Sequence, residues 1–344
     1  MFTPTPRTRR TVRILSIDGG GVRGILPIIF LRALEKELGG KPLHSLFDLV
    51  AGTSIGAMIA CGIVAPKPLT AQRMLDTFVS KKNRIFPTDR FRQLSSVIAR
   101  SKYDPEPLEE LLAELFGMSR LSECVTELLI PTYEIEKREA VFFKSWKARG
   151  IGALPPEPPA THDYYLKDVI RASAAAPTYF PPAYIRSISG AGGAYIDGAI
   201  TANNPAMCAL ASARKLHPEA ERFIILSLGT GQQCLPIKYA DAVKFGLLSW
   251  PRPIIECLMD AAADIVDYQI DEAFGSNVVK HRVQFNIGRA SGEIDDASDA
   301  NMARLIVAGE EEVARRGALI ASLPSILSLQ DRPDNHQPKH GFRE

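Results

Sequence analysis

Residues 52–56 read Gly-Thr-Ser-Ile-Gly, and this short motif constrains the chain more than any other stretch. It follows an apolar run typical of a buried strand (46–51) and precedes small and apolar residues typical of a helix. A GxSxG motif in that position is typical of a nucleophile elbow, in which a sharp turn exposes a serine hydroxyl above a sheet. Gly52 and Gly56 would relieve crowding in such a turn. The motif therefore predicts acyl transfer with Ser54 as the nucleophile.

The composition is that of an ordinary globular protein. Of 344 residues, 46% are hydrophobic and 23% are charged, which suits one large α/β domain. Lys and Arg number 41 against 39 Asp and Glu, so the net charge of +2 gives no basis for binding a nucleic acid polymer. We expect a flexible N-terminus over residues 1–11, one domain over 12–325 and a disordered polar tail over 326–344.

The sequence also bears on location and redox state. The first residues lack a signal-peptide pattern, and no stretch approaches the roughly eighteen apolar residues of a membrane span. We therefore expect a cytoplasmic protein, with peripheral contact to a membrane surface left open. Five widely spaced cysteines form no CxxC pair, which favours reduced structural thiols and predicts neither a metal site nor a cofactor. They are Cys61, Cys124, Cys208, Cys234 and Cys257.

Alternating strand and helix patterns predict the fold class. A buried strand (12–17) is followed by a helix (25–38), and the elbow supplies a second strand–helix unit directly afterwards. Two such units in succession favour an α/β fold with a mainly parallel sheet between helices. The other predicted elements are strands at 127–134, 140–143, 194–196, 223–228 and 282–287, and helices at 108–116, 166–176, 206–216, 238–267 with breaks at Pro251 and Pro253, and 299–316.

A glycine-rich loop links the first strand to its helix. Gly19, Gly21 and Gly24 match the GxGxxG fingerprint of dinucleotide-binding proteins. However, the carboxylate of Asp18, next to the first glycine, would repel a pyrophosphate. The fingerprint also requires an acidic residue at the end of a second strand about 20 residues further on, and this chain has none there. Nucleotide binding by residues 19–24 is therefore the less favoured interpretation.

The same loop suits an oxyanion hole. Gly19, Gly20 and Gly21 would expose backbone N–H groups without side chains, and such groups stabilise the oxyanion of a tetrahedral intermediate. Gly24 completes the loop. Arg23 could strengthen the positive field or hold the loop in place, and an ordinary surface arginine is the equal alternative. We therefore predict that these five residues form the oxyanion hole.

A serine nucleophile needs a base, and the chain offers two candidates. Of six histidines, His281 is the best placed, just before a predicted strand, although a hydrogen-bonded structural role fits it better. Asp197 is the stronger candidate because it ends the strand at 194–196 and precedes Gly198 and Ala199, where another group can approach closely. A buried aspartate with a raised pKa can accept a proton during the attack. An aspartate that merely forms a turn or caps a helix is the alternative.

Together these motifs resemble those of the patatin-like phospholipases. The glycine loop (18–24), the elbow (52–56) and the Asp-Gly-Ala sequence at 197–199 look like that family's oxyanion loop, nucleophile elbow and base motif, in the same order. Further matches lie at residues 173–180, 203–205 and 226–231. The resemblance covers about residues 12 to 316, and three separate motifs in register make it specific.

The resemblance implies a three-layer α/β/α fold and a dyad of Ser54 and Asp197 that works without histidine or metal. It implies hydrolysis of acyl esters in phospholipids or other lipids, of the phospholipase A type, through an acyl-serine intermediate. Some bacterial members are similar in length and are activated by cyclic nucleotides in antiphage defence, so a cyclic-nucleotide-activated effector is a second hypothesis. The preferred head group and the oligomeric state, including a homo-oligomer, stay open.

Two further stretches suggest contact with lipid. Residues 243–253 are apolar and aromatic yet broken by prolines, which suits an acyl channel or a membrane interface. A kinked core helix is the favoured alternative for that stretch. Residues 84–100 interleave arginines with apolar side chains, which suits lipid head groups, although a solvated helix face is the simpler interpretation.

Overall fold

The computed structural model describes residues 10–87, 101–152, 158–232, 237–246 and 249–328, apart from several side chains between 251 and 259. In this part of the chain the strands are β1 (Thr11–Ile17), β2 (Leu49–Gly52), β3 (Glu127–Glu134), β4 (Glu139–Lys144), β5 (Ala183–Arg186), β6 (Gly192–Ile196), β7 (Arg222–Leu228) and β8 (Val278–Val283). The helices are α1 (Ile25–Glu37), α2 (Ile55–Val64), α3 (Ala71–Ile85), α4 (Glu106–Phe116), α5 (Ser145–Ala148), α6 (Leu166–Ser173), α7 (Ala199–Ala202), α8 (Ala206–Leu216), α9 (Tyr239–Ala242), α10 (Pro251–Phe274), α11 (Asp299–Arg315) and α12 (Gly317–Ile326).

The strands form one mixed sheet that is parallel at its centre. The strand order is β5-β6-β3-β2-β1-β7-β8, with β4 pairing to β3 outside this path. Strands β3, β2, β1, β7 and β8 run parallel to one another, whereas β3 pairs antiparallel with β4 and β6, and β5 pairs antiparallel with β6. The central strand β1 is buried almost throughout, as its apolar sequence predicts for a parallel strand covered on both faces.

Helices cover both faces of this sheet. Successive residues of β1 point to opposite faces, so Val12 and Ile14 pack in one apolar cluster and Leu15 and Ile17 in the other. The first cluster includes α8, and the second, larger one includes α1, α2, α3, α4, α6 and α11. The result is a three-layer α/β/α structure, which confirms the predicted fold class.

The pairing of β3 decides which loops meet. β4 occupies one edge of β3 along residues 129–134. The other edge is shared by β2, which pairs at residues 127–129, and β6, which pairs at residues 133 and 134. Because β2 runs parallel to β3 and β6 runs antiparallel, their carboxyl ends point toward each other along that edge. The residues that follow β2 and β6 are therefore brought together.

Two elements near the C-terminus differ from the sequence predictions. The last strand is Val278–Val283 rather than 282–287, because β8 is an edge strand whose polar residues hide its pattern. The predicted helix at 238–267 is divided into α9, which ends at Ala242, and α10, which begins at Pro251, so Pro251 and Pro253 lie in the first turn of a helix rather than inside one. A proline is tolerated there because the first N–H groups of a helix have no partner within it.

The sequence patterns also missed β5 and α12. Beyond α12, Leu327 is fully buried, and the Ser328 carbonyl accepts a hydrogen bond from Nη2 of Arg13 at 2.8 Å. Residues 326–328, the first of the predicted tail, therefore pack against the domain. Outside the described residues lie the rest of that tail (329–344), most of the predicted flexible N-terminus (1–9), and most of the arginine-containing stretch (88–100).

Gly56 allows α2 to approach the sheet closely. A Cβ at this position would lie 2.3 Å from the carbonyl oxygen of Ile17, a backbone atom that cannot turn away. We predict that Gly56→Ala lowers the free energy of unfolding by about 2 kcal/mol, as overpacking does. Urea and thermal denaturation would measure the change.

The matched control is Gly317→Ala, at the start of α12. A Cβ there meets nothing within 4 Å, so the substitution should be neutral or slightly stabilising. Equal unfolding free energies for the two variants would contradict the close approach.

Candidate active site

Ser54 lies in a strained turn between β2 and α2. Its φ of 55° and ψ of −119° are rarely adopted outside glycine, and such a conformation typically costs about 1–3 kcal/mol. Close packing fixes the turn, since a Cβ on Gly52 would lie 2.1 Å from the carbonyl oxygen of Gly56. Ser54 stands at the N-terminal end of α2 and is partly exposed. This is the geometry that a nucleophile elbow requires.

The hydroxyl of Ser54 donates a hydrogen bond to Asp197. Oγ and Oδ2 are 2.8 Å apart, and Oδ1 of Asp197 accepts the Ala199 N–H, also at 2.8 Å. Asp197 is only 4% exposed. Burial raises the pKa of Asp197 to about 6, although the hydrogen bonds from Ala199 and Ser54 work in the opposite direction. A carboxylate in this setting is a stronger base than a free aspartate.

Ser173 links the turn at Ser54 to the loop after Asp197, a role that the sequence patterns did not predict. Its buried hydroxyl accepts the Ser54 N–H at 3.1 Å and donates to the carbonyl of Pro131 on β3 at 2.8 Å. Its carbonyl accepts the N–H of Gly198 at 3.1 Å. One residue therefore ties the serine turn, the loop after Asp197 and β3 together. A serine among alanines at the end of a helix gives no sequence signal for such a role.

His281 lies away from this pair of side chains. It is on β8, three strands from β2, which corresponds to roughly 14 Å at the usual strand spacing. Burial lowers the pKa of His281, and its Nε2 is buried without a hydrogen-bond partner in the described part of the chain. The hydrogen bond expected of a structural histidine is therefore not made at Nε2 among the described residues. His336 and His340 lie outside the described residues.

The glycine loop offers a different set of free N–H groups from the one predicted. The N–H of Gly19 is already bonded to the carbonyl of Asn203 at 3.1 Å, so it is not available to an oxyanion. Within the described residues, the N–H groups of Gly20 and Gly21 have no protein acceptor. The same is true of Ile55, the residue after the serine, which supplies an oxyanion donor in other nucleophile elbows. The position of Ile55 directly after the serine is a sequence signal for this role, although Ile55 was not among the predicted residues.

Arg23 holds the glycine loop, which is one of its predicted roles. Its Nη1 donates to the carbonyl of Gly231 at 3.2 Å and its Nε to the carbonyl of Gly20 at 3.5 Å. The loop is thereby attached to the turn after β7. A short 3₁₀ turn follows, which begins at Gly21 and ends at Gly24. Gly21 has a φ of +57°, a conformation that glycine adopts most easily.

An ion pair beneath the loop was absent from the sequence predictions. Asp18 accepts two hydrogen bonds from Arg282, at 2.6 Å from Nη2 and 3.1 Å from Nη1. Burial raises the pKa of Asp18, and the guanidinium of Arg282 opposes that effect without cancelling it. Because the carboxylate is paired, the repulsion argument against a pyrophosphate no longer holds. The two residues are 264 positions apart, so no sequence spacing could reveal the pair.

Comparison with known proteins identifies the family. Residues 15–210, more than half of the chain, match the model of the patatin-like phospholipases. The chain belongs to this family. Membership supports a lipid-hydrolysing esterase activity in general terms, as the sequence resemblance implied.

Plant proteins are among the relatives of this patatin-like chain. It is 31% identical over 351 residues to Patatin-like protein 2 of Oryza sativa subsp. indica, covering 89% of this chain and 84% of that protein. It is 32% identical over 334 residues to Patatin-T5 of Solanum tuberosum, covering 87% and 83%. Another potato relative, 30% identical over 332 residues and covering 87% and 85%, is named Probable inactive patatin-3-Kuras 1. Family membership alone therefore does not decide whether a given chain is active.

One solved structure is similar at a lower level. VipD from Legionella pneumophila aligns with a TM-score of 0.45 and 15% identity, covering 91% of this chain and 67% of VipD.

Other features of the described residues bear on metals, membranes and thiols. In this part of the chain, no helix is both long and apolar enough to cross a bilayer, and no three His, Cys, Asp or Glu side chains are grouped as metal ligands would be. Cys61 and Cys124 are buried free thiols, and burial raises the pKa of both. They are therefore poor nucleophiles at neutral pH.

Arg282 compensates the buried charge of Asp18, so its removal should be costly. We predict that Arg282→Met lowers the free energy of unfolding by about 3 kcal/mol or more, because an unpaired buried carboxylate remains. Lys81→Met is the matched control, since Lys81 and Glu114 form an exposed pair 3.8 Å apart, and its effect should stay below about 1 kcal/mol. Similar losses for both variants in urea denaturation would contradict this account.

Proposed function

We propose that this chain is a serine lipid acyl hydrolase in which Ser54 is the nucleophile and Asp197 is the base. The hydrogen bond of 2.8 Å between Oγ of Ser54 and Oδ2 of Asp197 carries this proposal. Three further observations support the proposal: the strained turn at Ser54, the burial of Asp197 and membership of the patatin-like phospholipase family. The proposed substrates are acyl esters of phospholipids or other lipids, cleaved as by a phospholipase A.

The first half of the reaction forms an acyl-enzyme. Oγ of Ser54 attacks the ester carbonyl carbon while its proton passes to Oδ2 of Asp197. The carbonyl oxygen becomes an oxyanion, and the free N–H groups of Gly20, Gly21 and Ile55 are the available donors to stabilise it. When the tetrahedral intermediate collapses, the bond to the alcohol breaks and the alcohol leaves with the proton from Asp197.

The second half releases the fatty acid. Water attacks the acyl-Ser54 carbonyl and gives one proton to Asp197. Collapse of the second intermediate breaks the bond to Oγ, and the proton returns from Asp197 to Ser54. Asp197 can both accept and return the proton because its raised pKa lies much nearer neutrality than the value of about 3.9 for a free aspartate.

The remaining functional hypotheses stay predictions. They are activation by a cyclic nucleotide in antiphage defence, nucleotide binding at Gly19–Gly24, peripheral contact with a membrane surface, a cytoplasmic location and assembly into a homo-oligomer. Lipase assays with and without cyclic dinucleotides would test the first of these. High basal activity that no ligand changes would exclude it.

The dyad predicts a clear hierarchy of substitutions. Ser54→Ala and Asp197→Asn should each lower kcat/KM for a short-chain p-nitrophenyl ester by about 10⁴-fold, because each removes one half of the proton-transfer pair. Labelling by a fluorophosphonate, read out by intact mass, should be lost in Ser54→Ala. His281→Gln is the control and should retain most of the activity. A folded but inactive His281→Gln variant would refute the dyad.

The raised pKa of Asp197 predicts the acid limb of the pH profile. Asp197 must be ionised to act as a base, so activity requires a pH above its pKa of about 6. As the pH falls below that value, kcat/KM should fall about tenfold per pH unit. The pH dependence of kcat/KM reports the pKa of the essential base in the free enzyme. A profile that stays flat down to pH 4.5 would contradict the assignment of Asp197 as the base.

A further inference from the structure

Asn203 carries a buried amide beside Ser54 that the reaction steps above do not use. The residue is only 8% exposed, and its Oδ1 has no hydrogen-bond partner among the described residues. A buried acceptor without a partner lowers stability, because the group loses its hydration and gains nothing in return. Most buried polar groups in folded proteins are therefore paired with protein or with a bound molecule. This oxygen is available to a bound molecule.

The amide oxygen occupies the space that a side chain on Gly19 would fill. A Cβ at Gly19 would lie 2.5 Å from Oδ1 of Asn203 and 3.3 Å from Cβ of Ser54. The amide oxygen and the Ser54 Cβ are therefore at most about 6 Å apart. That separation accommodates one water molecule, since an O–H···O hydrogen bond spans about 2.8 Å. Glycine at position 19 keeps this space open for the amide.

Two hydrogen bonds hold Asn203 in this place. Its carbonyl accepts the Gly19 N–H at 3.1 Å. The carbonyl of Ala202, one residue earlier, accepts the hydroxyl of Thr53 at 2.7 Å, and Thr53 is fully buried directly before Ser54. The backbone that carries the amide is therefore attached to the glycine loop on one side and to the serine turn on the other.

The chemistry of an amide oxygen selects its partner. Oδ1 can only accept hydrogen bonds, so the partner must be a donor. In the first half of the reaction the attacking hydroxyl belongs to Ser54 and donates its one proton to Asp197. In the second half the attacking group is water, which has a second O–H to donate. A free acceptor close to Ser54 therefore suits the second half.

From this geometry and chemistry, we propose that Asn203 orients the water that hydrolyses acyl-Ser54. This inference rests on the proposed function, because it requires an acyl-serine intermediate. One O–H of the water donates to Oδ1 of Asn203, and the other proton passes to Asp197 as the water oxygen bonds to the acyl carbon. Collapse breaks the bond to Oγ of Ser54, which takes the proton back from Asp197. The O–H that faced Asn203 remains in the fatty acid.

Competition between water and methanol tests this role. Methanol can attack acyl-Ser54 through its one O–H, but it has a methyl group in place of the second proton of water. With p-nitrophenyl butyrate in dilute methanol, Asn203→Ala should raise the ratio of methyl ester to free acid at least about tenfold, as expected for one lost hydrogen bond. The value of kcat should fall by a similar factor. The value of kcat/KM for p-nitrophenol release reports acylation and should be unchanged.

Asn204 provides the matched control, a buried asparagine in the same turn. Its Oδ1 accepts the Ala206 N–H at 3.1 Å and the Ser16 hydroxyl at 3.5 Å, so its amide faces the buried strand β1. Asn204→Ala should lower the urea midpoint of unfolding and leave the product ratio at the wild-type value. A raised ratio in this variant would show that any loss of packing near the turn has the same effect, and would overturn the role of Asn203.

Two further variants keep the test decisive. Asn203→Leu has a similar volume and no acceptor, so it should raise the product ratio like Asn203→Ala and replaces that variant if it does not fold. Asn203→Asp retains an acceptor oxygen in a side chain of the same shape and should keep the wild-type ratio. Circular dichroism would verify that each variant is folded.

The product ratio also separates this inference from the proposed function. If the wild-type chain forms neither methyl ester nor free acid, the proposed function fails, and the role of Asn203 fails with it. If the wild-type chain forms both products and Asn203→Ala gives them in the same ratio, only the role of Asn203 fails. A lower kcat/KM with an unchanged ratio would assign the amide to acylation and overturn the inference.

Discussion

The contact between the start of α2 and the ends of β1 and β2 is the constraint on which the site depends. At Gly52 and Gly56 the two backbones leave no space for a Cβ. This close approach holds Ser54 at a φ of 55°, a conformation that the residue would not keep by itself. Burial around the strained turn offsets its cost, since all but three residues from 51 to 65 are buried.

The base reaches this turn through the topology of the sheet. Because β4 covers one edge of β3, β2 and β6 must share the other edge and meet end to end. The proposed nucleophile follows one of these strands and the proposed base follows the other. Ser173 then connects both loops to β3 through three hydrogen bonds. Small shifts of either strand would therefore change the distance between Ser54 and Asp197.

Two buried aspartates show how surroundings set the role of a carboxylate. Burial is the largest effect on both and raises the pKa of both. Asp18 faces the guanidinium of Arg282, which balances its charge and anchors the start of the glycine loop. Asp197 faces a neutral hydroxyl and a backbone N–H, and among its described contacts no cation compensates it. Only the second arrangement leaves a carboxylate free to accept a proton.

The sequence alone determined the elements that local patterns encode. The glycine motifs, the buried strand runs and the order of the three motifs predicted the α/β fold, the serine turn and the choice of Asp197 over His281. Tertiary structure decided the contacts between residues far apart in the chain. These include the pairing of Asp18 with Arg282, the link through Ser173 and the loss of the Gly19 N–H to Asn203. The physical reason is that periodicity and turn chemistry act over a few residues, whereas strand order and the packing of helices place partners that no sequence spacing records.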